Sequence, residues 1–320
     1  MPGRIDLIKG VLSGNPRAIA RAISQVENAE DGAQEILKGL FPHCKECLIL
    51  GITGAPGSGK STLVDQLIGR LRAEGKKIGI IAVDPSSPFT GGAILGDRIR
   101  MMRHSTDPGV FIRSMATRGH LGGLAKATGE AISIFEASGK DIVLVETVGV
   151  GQDEVEIVKL ADLILVILTP GAGDDIQVFK AGIMEIADIF VLNKADTPGA
   201  EKIEIQLKAM LELGLKDRDQ PPVIKTVATE GKGTDELVQA VLKLRTKKVR
   251  SDLAARRKKL IAWMLKDITQ DKLYGLVVWT LKDAEFENYV EKIYKREIDP
   301  YTAADEIVAR LKTKNPKERR

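Results

Sequence analysis

Residues 54–61 read Gly54-Ala55-Pro56-Gly57-Ser58-Gly59-Lys60-Ser61 and satisfy every fixed position of the pattern G-x-x-x-x-G-K-[ST]. Glycine at these spacings lets successive backbone N–H groups turn inward and approach an anion where a Cβ would collide. The apolar run Leu48–Leu50 precedes the loop, and a helical pattern from Ser61 and Thr62 follows it. The unpaired N–H groups of that helix's first turn, and the positive end of its dipole, therefore face the same anion. In such a loop a lysine at Lys60 reaches the β- and γ-phosphates, and a hydroxyl at Ser61 ligates Mg²⁺. The chemistry implied is capture of a nucleoside triphosphate.

A second motif bears on the base. Asn193-Lys194-Ala195-Asp196 follows the apolar run IFVL and matches N-K-x-D, the guanine-reading signature. A carboxylate at Asp196 accepts two hydrogen bonds from guanine N1–H and N2–H, and adenine offers no such pair of donors. An adenine there leaves a desolvated carboxylate unpaired, which is how polar sites reject analogues. Lys194 has an aliphatic stem long enough to lie across a base face. Val227-Ala228-Thr229, after the next apolar run, is placed to offer a backbone amide to the guanine oxygen. The nucleotide read from these residues is GTP.

Three acidic residues stand between the motifs. Asp84 closes IGIIAV, Asp97 lies in GDRIR, and Glu146 closes IVLV at the head of Glu146-Thr147-Val148-Gly149, a D-x-x-G motif with glutamate in place of aspartate. Ligands of parallel α/β sheets bind at the carboxyl ends of strands, so Asp84 and Glu146 point toward the phosphates and, with Ser61 and Asp97, form a candidate Mg²⁺ and hydrolysis cluster. Asp97 is open to a second reading as a helix cap or surface charge. PSSPFTGGAIL (85–95) and TPGAGDD (169–175) read as loops that reorder with nucleotide. Lys180, just beyond the second, is either a charge-stabilising finger or a solvated lysine. Gln152 does not follow Gly149 directly, where a water-positioning glutamine is often found.

The elements that must position these residues are legible in outline. From 48 to 228, short β-branched runs (LILGIT, IGIIAV, VFIRSM, DIVLVETV, DLILVIL, DIFVLN, PVIKTVA) alternate with helical stretches at 61–74, 122–137, 153–160 and 199–214. That alternation predicts an α/β fold, a P-loop NTPase whose mainly parallel sheet is covered by helices on both faces. Residues 1–45 read as a helical extension; Asn15 is an N-cap before Pro16, with Ile19, Ile23 and Val26 at helical spacing. The core spans 46–240 and a helical arm 241–320, with Leu242, Val249, Leu253 and Leu260 on one face. The arm fits either a cap on the core or a subunit contact.

Across 320 residues the net charge is +4, too small to argue for nucleic acid. The basic stretches 247–250 and 256–259 read as solvated helix faces, and with 4% aromatic residues the chain has few stacking platforms. Apolar runs such as LILVIL are too short to span a bilayer, and the N-terminal MPGRIDLIKG lacks the apolar core of a signal peptide. The expectation is a cytoplasmic protein that engages neither membrane nor nucleic acid. Cys44 and Cys47, in HCKEC, have no partner pair at zinc-site spacing and read as reduced thiols.

Taken together, GITGAPGSGKSTL, VDPSSPFTGGAILGDRIRM, ATRGHLGGL, VETVGVGQDE and PGAGDDIQVFKAGIMEIADIFVLNKAD resemble the MeaB/ArgK family of P-loop GTPases. The resemblance implies a G-protein chaperone of methylmalonyl-CoA mutase, whose GTP binding and hydrolysis gate loading of adenosylcobalamin and protect the mutase. It implies a homodimer held by the C-terminal arm, and adenosylcobalamin met only through the partner enzyme. It places Lys60 and Ser61 in the P-loop roles, Asp84, Asp97 and Glu146 in the metal and hydrolysis cluster, Asn193 and Asp196 on guanine, and a third switch at 169–180 that includes Lys180. Older naming in the family attaches it to a transport-linked kinase, and a transport-linked or small-molecule kinase that uses the same P-loop for phosphoryl transfer is the alternative reading.

Overall fold

The computed structural model describes residues 2–84, 102–116, 123–147, 160–171, 186–214, 220–247, 250–281 and 283–313. Seven strands form one parallel sheet: β1 (Leu48–Gly54), β2 (Ile78–Asp84), β3 (Val110–Ala116), β4 (Ile142–Glu146), β5 (Leu163–Leu168), β6 (Ile189–Asn193) and β7 (Val223–Thr226). Their order is β3-β2-β4-β1-β5-β6-β7, so β1, which leads into the P-loop, is the middle strand. It pairs with β4 (Ile52 beside Glu146) and with β5 (Gly54 beside Ile167). Every residue of β1, β4, β5 and β6 is buried. Continuous apolar runs were the sequence signal for a sheet covered on both faces, and that is the architecture observed.

Chain identity sets these strands in register by a repeated device. An aspartate stands immediately before β4, β5 and β6, as Asp141, Asp162 and Asp188. Asp162 Oδ2 accepts from the Ile49 N–H at 2.9 Å while its own N–H donates to the Ile49 carbonyl at 2.9 Å. Asp188 makes the same exchange with Ile164, and Asp141 makes it with Lys77 at 2.7 and 2.8 Å. Each aspartate thus pins the amino end of one strand to its neighbour with a charge-assisted bond. Slippage by one residue would break the pin and turn the apolar set outward.

Three helices precede the sheet: α1 (Pro2–Leu12), α2 (Pro16–Glu27) and α3 (Ala33–Leu40). Asn15 caps α2, its Oδ1 accepting from Arg17 and Ala18 N–H at 2.9 and 3.2 Å. The buried stripe Ile19, Ala22, Ile23 and Val26 turns α2 toward helix Gly123–Ala137. The P-loop helix α4 (Lys60–Ala73) buries Leu63, Val64, Leu67, Ile68 and Leu71 against β1, β2 and β4. Cys44 and Cys47 are not joined in a disulfide. Burial, with Glu136 nearby, pushes the Cys44 thiol up to about 11, so it stays protonated and unreactive near neutral pH.

The chain divides into two compact units, Met1–Arg256 and Arg257–Arg320, along the helix Arg250–Thr280. In the second unit Leu281, Tyr289 and Ala303 form a small core with Val277, Ile293, Ile298 and Ile307. Tyr289 donates to Glu306 Oε2 at 3.1 Å, and the Arg310 guanidinium lies 5.6 Å from its ring centre. Asp299 caps the helix Pro300–Thr313 through Tyr301 and Thr302 N–H. In the first unit Arg256, within one of the basic stretches, is not a solvated lysine-like charge. Its Nη1 and Nη2 fork onto Asp188 at 2.9 and 3.2 Å, and Nη1 also reaches the Asp162 carbonyl at 3.1 Å. Of the expected apolar face of the arm, Leu242 packs on the core, whereas Val249 and the side chains of Leu253 and Leu260 lie outside the described residues.

Lys140, before β4, is buried, with Nζ donating to the Gly109 carbonyl at 3.2 Å. Burial, reinforced by Lys77 and Arg72, lowers its ammonium from 10.5 to about 8. The unfolded chain therefore binds more protons than the folded one between pH 8 and 10.5, and stability contributed at this site rises with pH across that window. Denaturation at pH 8 and pH 10.5 should show the parent gaining about 2 kcal/mol relative to Lys140→Met, after discount for solvent access. Equal pH slopes for the two proteins would exclude a neutral Lys140 in the fold.

Candidate functional site

The carboxyl ends of β1, β4, β6 and β7 bring four segments together. Gly54 ends β1 with φ 150°, and a Cβ there would lie 2.3 Å from the Ile167 carbonyl oxygen. Gly57 (φ 76°) and Gly59 (φ 89°) carry the turn in the left-handed region, which glycine enters without penalty. Ser58 is fully buried, while Pro56 and Gly57 face outward. Helix α4 begins directly on Lys60, and its own first turn is free of acidic residues. Lys60, 6% exposed, donates from Nζ to the Gly54 and Ala55 carbonyls at 2.8 and 3.1 Å, which curls the ammonium into the loop. Thr62 follows, half-buried.

Asn193 fixes that loop from the far side. It is buried at the end of β6, opposite Thr226 of β7. Its Nδ2 donates to the Ser58 carbonyl at 2.8 Å, and its Oδ1 accepts from Thr226 Oγ1 and Ala228 N–H, both at 3.1 Å. A Cβ on Gly59 would stand 2.4 Å from Nδ2, so glycine is required for the amide to reach the loop. One amide side chain thereby joins the P-loop, the N-K-x-D turn and the segment after β7. Sequence spacing assigned this residue to guanine; the structure commits its side chain to three protein partners, which no local motif reveals.

Lys194 sits at φ 54° and extends along the same gap, Nζ donating to the Gly57 carbonyl at 2.9 Å. Its stem thus lies between the base-side motif and the phosphate-side loop. Ala195 N–H donates to the Thr226 carbonyl at 3.1 Å, and Thr197 closes the turn on the Lys194 carbonyl through Oγ1 at 2.7 Å. Asp196 is exposed at this mouth. Val227 and Ala228 are buried and Thr229 exposed, in a tight turn where Val227 N–H donates to the Lys232 carbonyl at 3.1 Å. Glu230, and more weakly Asp196, hold the Lys232 ammonium above its ordinary range. Gly233 (φ 75°) completes the turn, since a Cβ would fall 1.9 Å from the Lys225 carbonyl oxygen.

On the phosphate side Glu146 ends β4, 2% exposed, and accepts from Ser61 Oγ at 2.7 Å. Thr147 continues the ladder, its N–H on the Ile52 carbonyl at 3.0 Å and its Oγ1 donating to Thr53 Oγ1 at 3.2 Å. The glutamate is therefore held rigidly beside the start of α4. A hydroxyl and a carboxylate are hard oxygen donors, the set that a small divalent cation such as Mg²⁺ takes together with substrate phosphates, so these residues fit that ion. Asp84 ends β2 on the same edge of the sheet; its side chain, and Asp97, Gln152 and Lys180 entirely, lie outside the described residues, as do 85–95 and 172–175 of the two expected loops. Among the described residues no cluster of three or more His, Cys, Asp or Glu forms a metal site, and no helix is long and apolar enough to cross a membrane.

Residues 18–281 match the family described as methylmalonyl-CoA mutase-associated GTPase MeaB. The chain belongs to this family. A Pyrococcus abyssi protein that carries the name of a GTPase is 51% identical over 311 residues, 96% of either chain. The mouse protein called methylmalonic aciduria type A homolog, mitochondrial, is 31% identical over 331 residues, covering 97% of this chain and 80% of its own. Among solved structures, one titled LAO/AO transport system kinase aligns with TM-score 0.71 at 26% identity over 98% and 99% of the two chains. This MeaB-family member is a P-loop GTPase, and it hydrolyses GTP to GDP and phosphate.

The clamp makes a prediction. Asn193→Ala removes three hydrogen bonds and strands the buried Ser58 carbonyl and Ala228 N–H, so chemical denaturation should show a loss of about 2–4 kcal/mol. Binding of a fluorescent GDP analogue should fall by about tenfold or more as the loop loosens. A variant that retains both would show that the amide is incidental.

Proposed function

We propose that this MeaB-family GTPase is a chaperone of an adenosylcobalamin-dependent methylmalonyl-CoA mutase, gating cofactor loading and protecting the enzyme by its GTP cycle. The observation that carries the reading is the match to a mutase-associated family across most of the chain, supported by the mouse relative's name in methylmalonic aciduria. The site geometry agrees with the GTPase half of the reading. P-loop N–H groups and Lys60 hold the triphosphate, and Asp196 accepts from the guanine edge. Lys194 floors the base, and Asn193 acts by placing Asp196 and the 227–229 backbone. Ser61 and Glu146, with Asp84 and Asp97, would hold Mg²⁺, which when bound neutralises charge between the β- and γ-phosphates.

In hydrolysis a water oxygen attacks the γ-phosphorus and the bond to the β–γ bridging oxygen breaks, leaving GDP and inorganic phosphate. Lys60 stabilises charge gathering on that bridge. Glu146 orients the Ser61 hydroxyl, and Lys180 is assigned a charge-stabilising role at the γ-phosphate. The second unit exposes Ile261, Leu265, Leu273, Tyr274, Phe286, Val290, Tyr294 and Tyr301. So much apolar surface favours a homodimer built on the C-terminal arm.

The test is GTP hydrolysis with and without a methylmalonyl-CoA mutase, using ATP as control. The expected outcome is GTP-selective phosphate release accelerated about tenfold or more by the mutase. Hydrolysis indifferent to the mutase would overturn the chaperone role. Because a solved neighbour is titled a transport system kinase, the same assay should trace the γ-phosphate. Its arrival on any acceptor other than water would favour the kinase reading. Asp196→Ala should lower the GTP-over-ATP preference by about a hundredfold while leaving the melting temperature unchanged, since the residue is exposed.

A further inference from the structure

We propose that Glu230 is a positioning residue for base recognition: it holds the Lys232 ammonium away from Asp196 and so leaves that carboxylate open to guanine. The inference rests on the assignment of Asp196 to the base in the proposed function. A carboxylate meant to accept from the uncharged N1–H and N2–H of a base is contested by any ammonium in reach, which brings a full opposite charge as well as donors. The lysines of the two segments on the base side are all turned elsewhere. Lys194, two residues before Asp196, donates to the Gly57 carbonyl at 2.9 Å. Lys225, in β7, pairs with Glu204 at 3.0 Å, and Lys232 pairs with Glu230 at 2.6 Å. Among the described residues none donates a hydrogen bond to the Asp196 carboxylate or forms an ion pair with it.

The backbone brings Lys232 to this mouth. Val227 N–H donates to the Lys232 carbonyl at 3.1 Å, and the two residues form an antiparallel bridge with their Cα atoms about 5 Å apart. Glu230 N–H donates to the Val227 carbonyl at 3.0 Å, so both members of the ion pair are anchored on one residue. The neighbours of Val227 in turn bind the N-K-x-D turn. The Thr226 carbonyl accepts from Ala195 N–H at 3.1 Å, and Ala228 N–H donates to Asn193 Oδ1 at 3.1 Å. Lys232 therefore rises one bridge away from the residues that fix the turn of Asp196. The electrostatics agree with this placement. Glu230 first, and Asp196 after it, hold the Lys232 ammonium above its ordinary range, so one cation faces both carboxylates and is bonded to one.

The pair does not carry the fold. The Lys232 and Glu230 side chains are 73% and 51% exposed, and an ion pair so solvated adds little to stability. The turn itself is closed by the backbone bonds on Val227 and by Gly233 at φ 75°. What the pair decides is where a flexible ammonium rests. Once Glu230 loses its charge, Asp196 is the other carboxylate that faces Lys232, and a guanine must displace an ion pair in order to bind. Competition of the strength of an exposed pair lowers guanine affinity by about threefold. The sign separates this effect from a general one. Loss of a negative charge near a phosphate-binding loop would, through the field alone, tighten anionic nucleotides of either base.

Affinities for ribose-labelled fluorescent GDP and ADP, and melting temperatures, should be measured for Glu230→Gln, Lys232→Gln, the double variant and Asp196→Ala. Glu230→Gln keeps the side-chain shape and removes the charge. Its GDP affinity is expected to fall about threefold with ADP bound no more weakly, and adding Lys232→Gln should restore GDP to within about 1.5-fold of the parent. Lys232→Gln alone should bind GDP at least as tightly as the parent, and the melting temperatures should move by less than about 3 °C. A Glu230→Gln loss smaller than about 1.5-fold, or one that the double variant does not restore, overturns the proposal. Weaker GDP binding by Lys232→Gln alone also overturns it, since the lysine would then be a contact of the base and not its competitor. If Asp196→Ala loses the preference for GDP over ADP while Glu230→Gln keeps it, the positioning role alone fails. If Asp196→Ala keeps the parental preference, the assignment of Asp196 to the base fails, and the role of Glu230 falls with it.

Discussion

A loop that binds phosphate through its backbone N–H groups must turn its carbonyls elsewhere, and in this chain one amide takes the carbonyl of the fully buried Ser58. Asn193 donates to the Ser58 carbonyl and accepts from Thr226 and Ala228. With the Lys60 bonds to Gly54 and Ala55 and the Lys194 bond to Gly57, it frames a loop in which Gly57 and Gly59 supply no steric restraint of their own. The clamp also explains a glycine. Gly59 must lack a Cβ so that Nδ2 can approach, over and above its left-handed φ. The P-loop and the N-K-x-D turn are thereby mechanically one device, although Ser58 and Asn193 are 135 positions apart.

The sheet that carries this device is fixed at its opposite edge. Asp141, Asp162 and Asp188 bond the amino ends of neighbouring strands, and Arg256 forks onto the last of them. Placing charged pins there leaves the carboxyl edge free to end in glycine, asparagine and glutamate, none of which favours a strand interior. Glu146 gains from that division. Its strand is locked to β1 through Ile52, and the carboxylate spans from β4 to the hydroxyl at the start of α4.

Much of the architecture was legible because its signals are local. Continuous apolar runs named all seven strands, and the fixed spacing of Gly54, Gly59, Lys60 and Ser61 named the phosphate loop. The aspartates before β4, β5 and β6 stood in plain view in DIVLV, DLILVIL and DIFVL, yet pinning is visible only once neighbours in space are known. Arg256 looked like one more charge in a basic run, since composition cannot tell a forked guanidinium from a solvated one. The N-K-x-D motif singled out Asn193, but its three partners lie 33, 35 and 135 residues away, beyond any periodicity. Glu230 gave no signal, because a glutamate and a lysine two residues apart in a turn are ordinary until Asp196 is seen to face the same ammonium.

Burial sorts the site residues by what each costs to change. Ser58, Lys60, Ser61, Glu146 and Asn193 are buried, and the last four make side-chain hydrogen bonds, so altering any of those four is a stability event. Lys194, Asp196 and Thr229 are exposed at the mouth of the base side, where water satisfies whatever a substitution leaves behind. In the proposed function, specificity for the base is therefore separable from the fold, and holding of the phosphates is not. A GTPase built this way keeps its triphosphate machinery fixed to the core and leaves base discrimination on a surface that evolution can adjust without unfolding the chain.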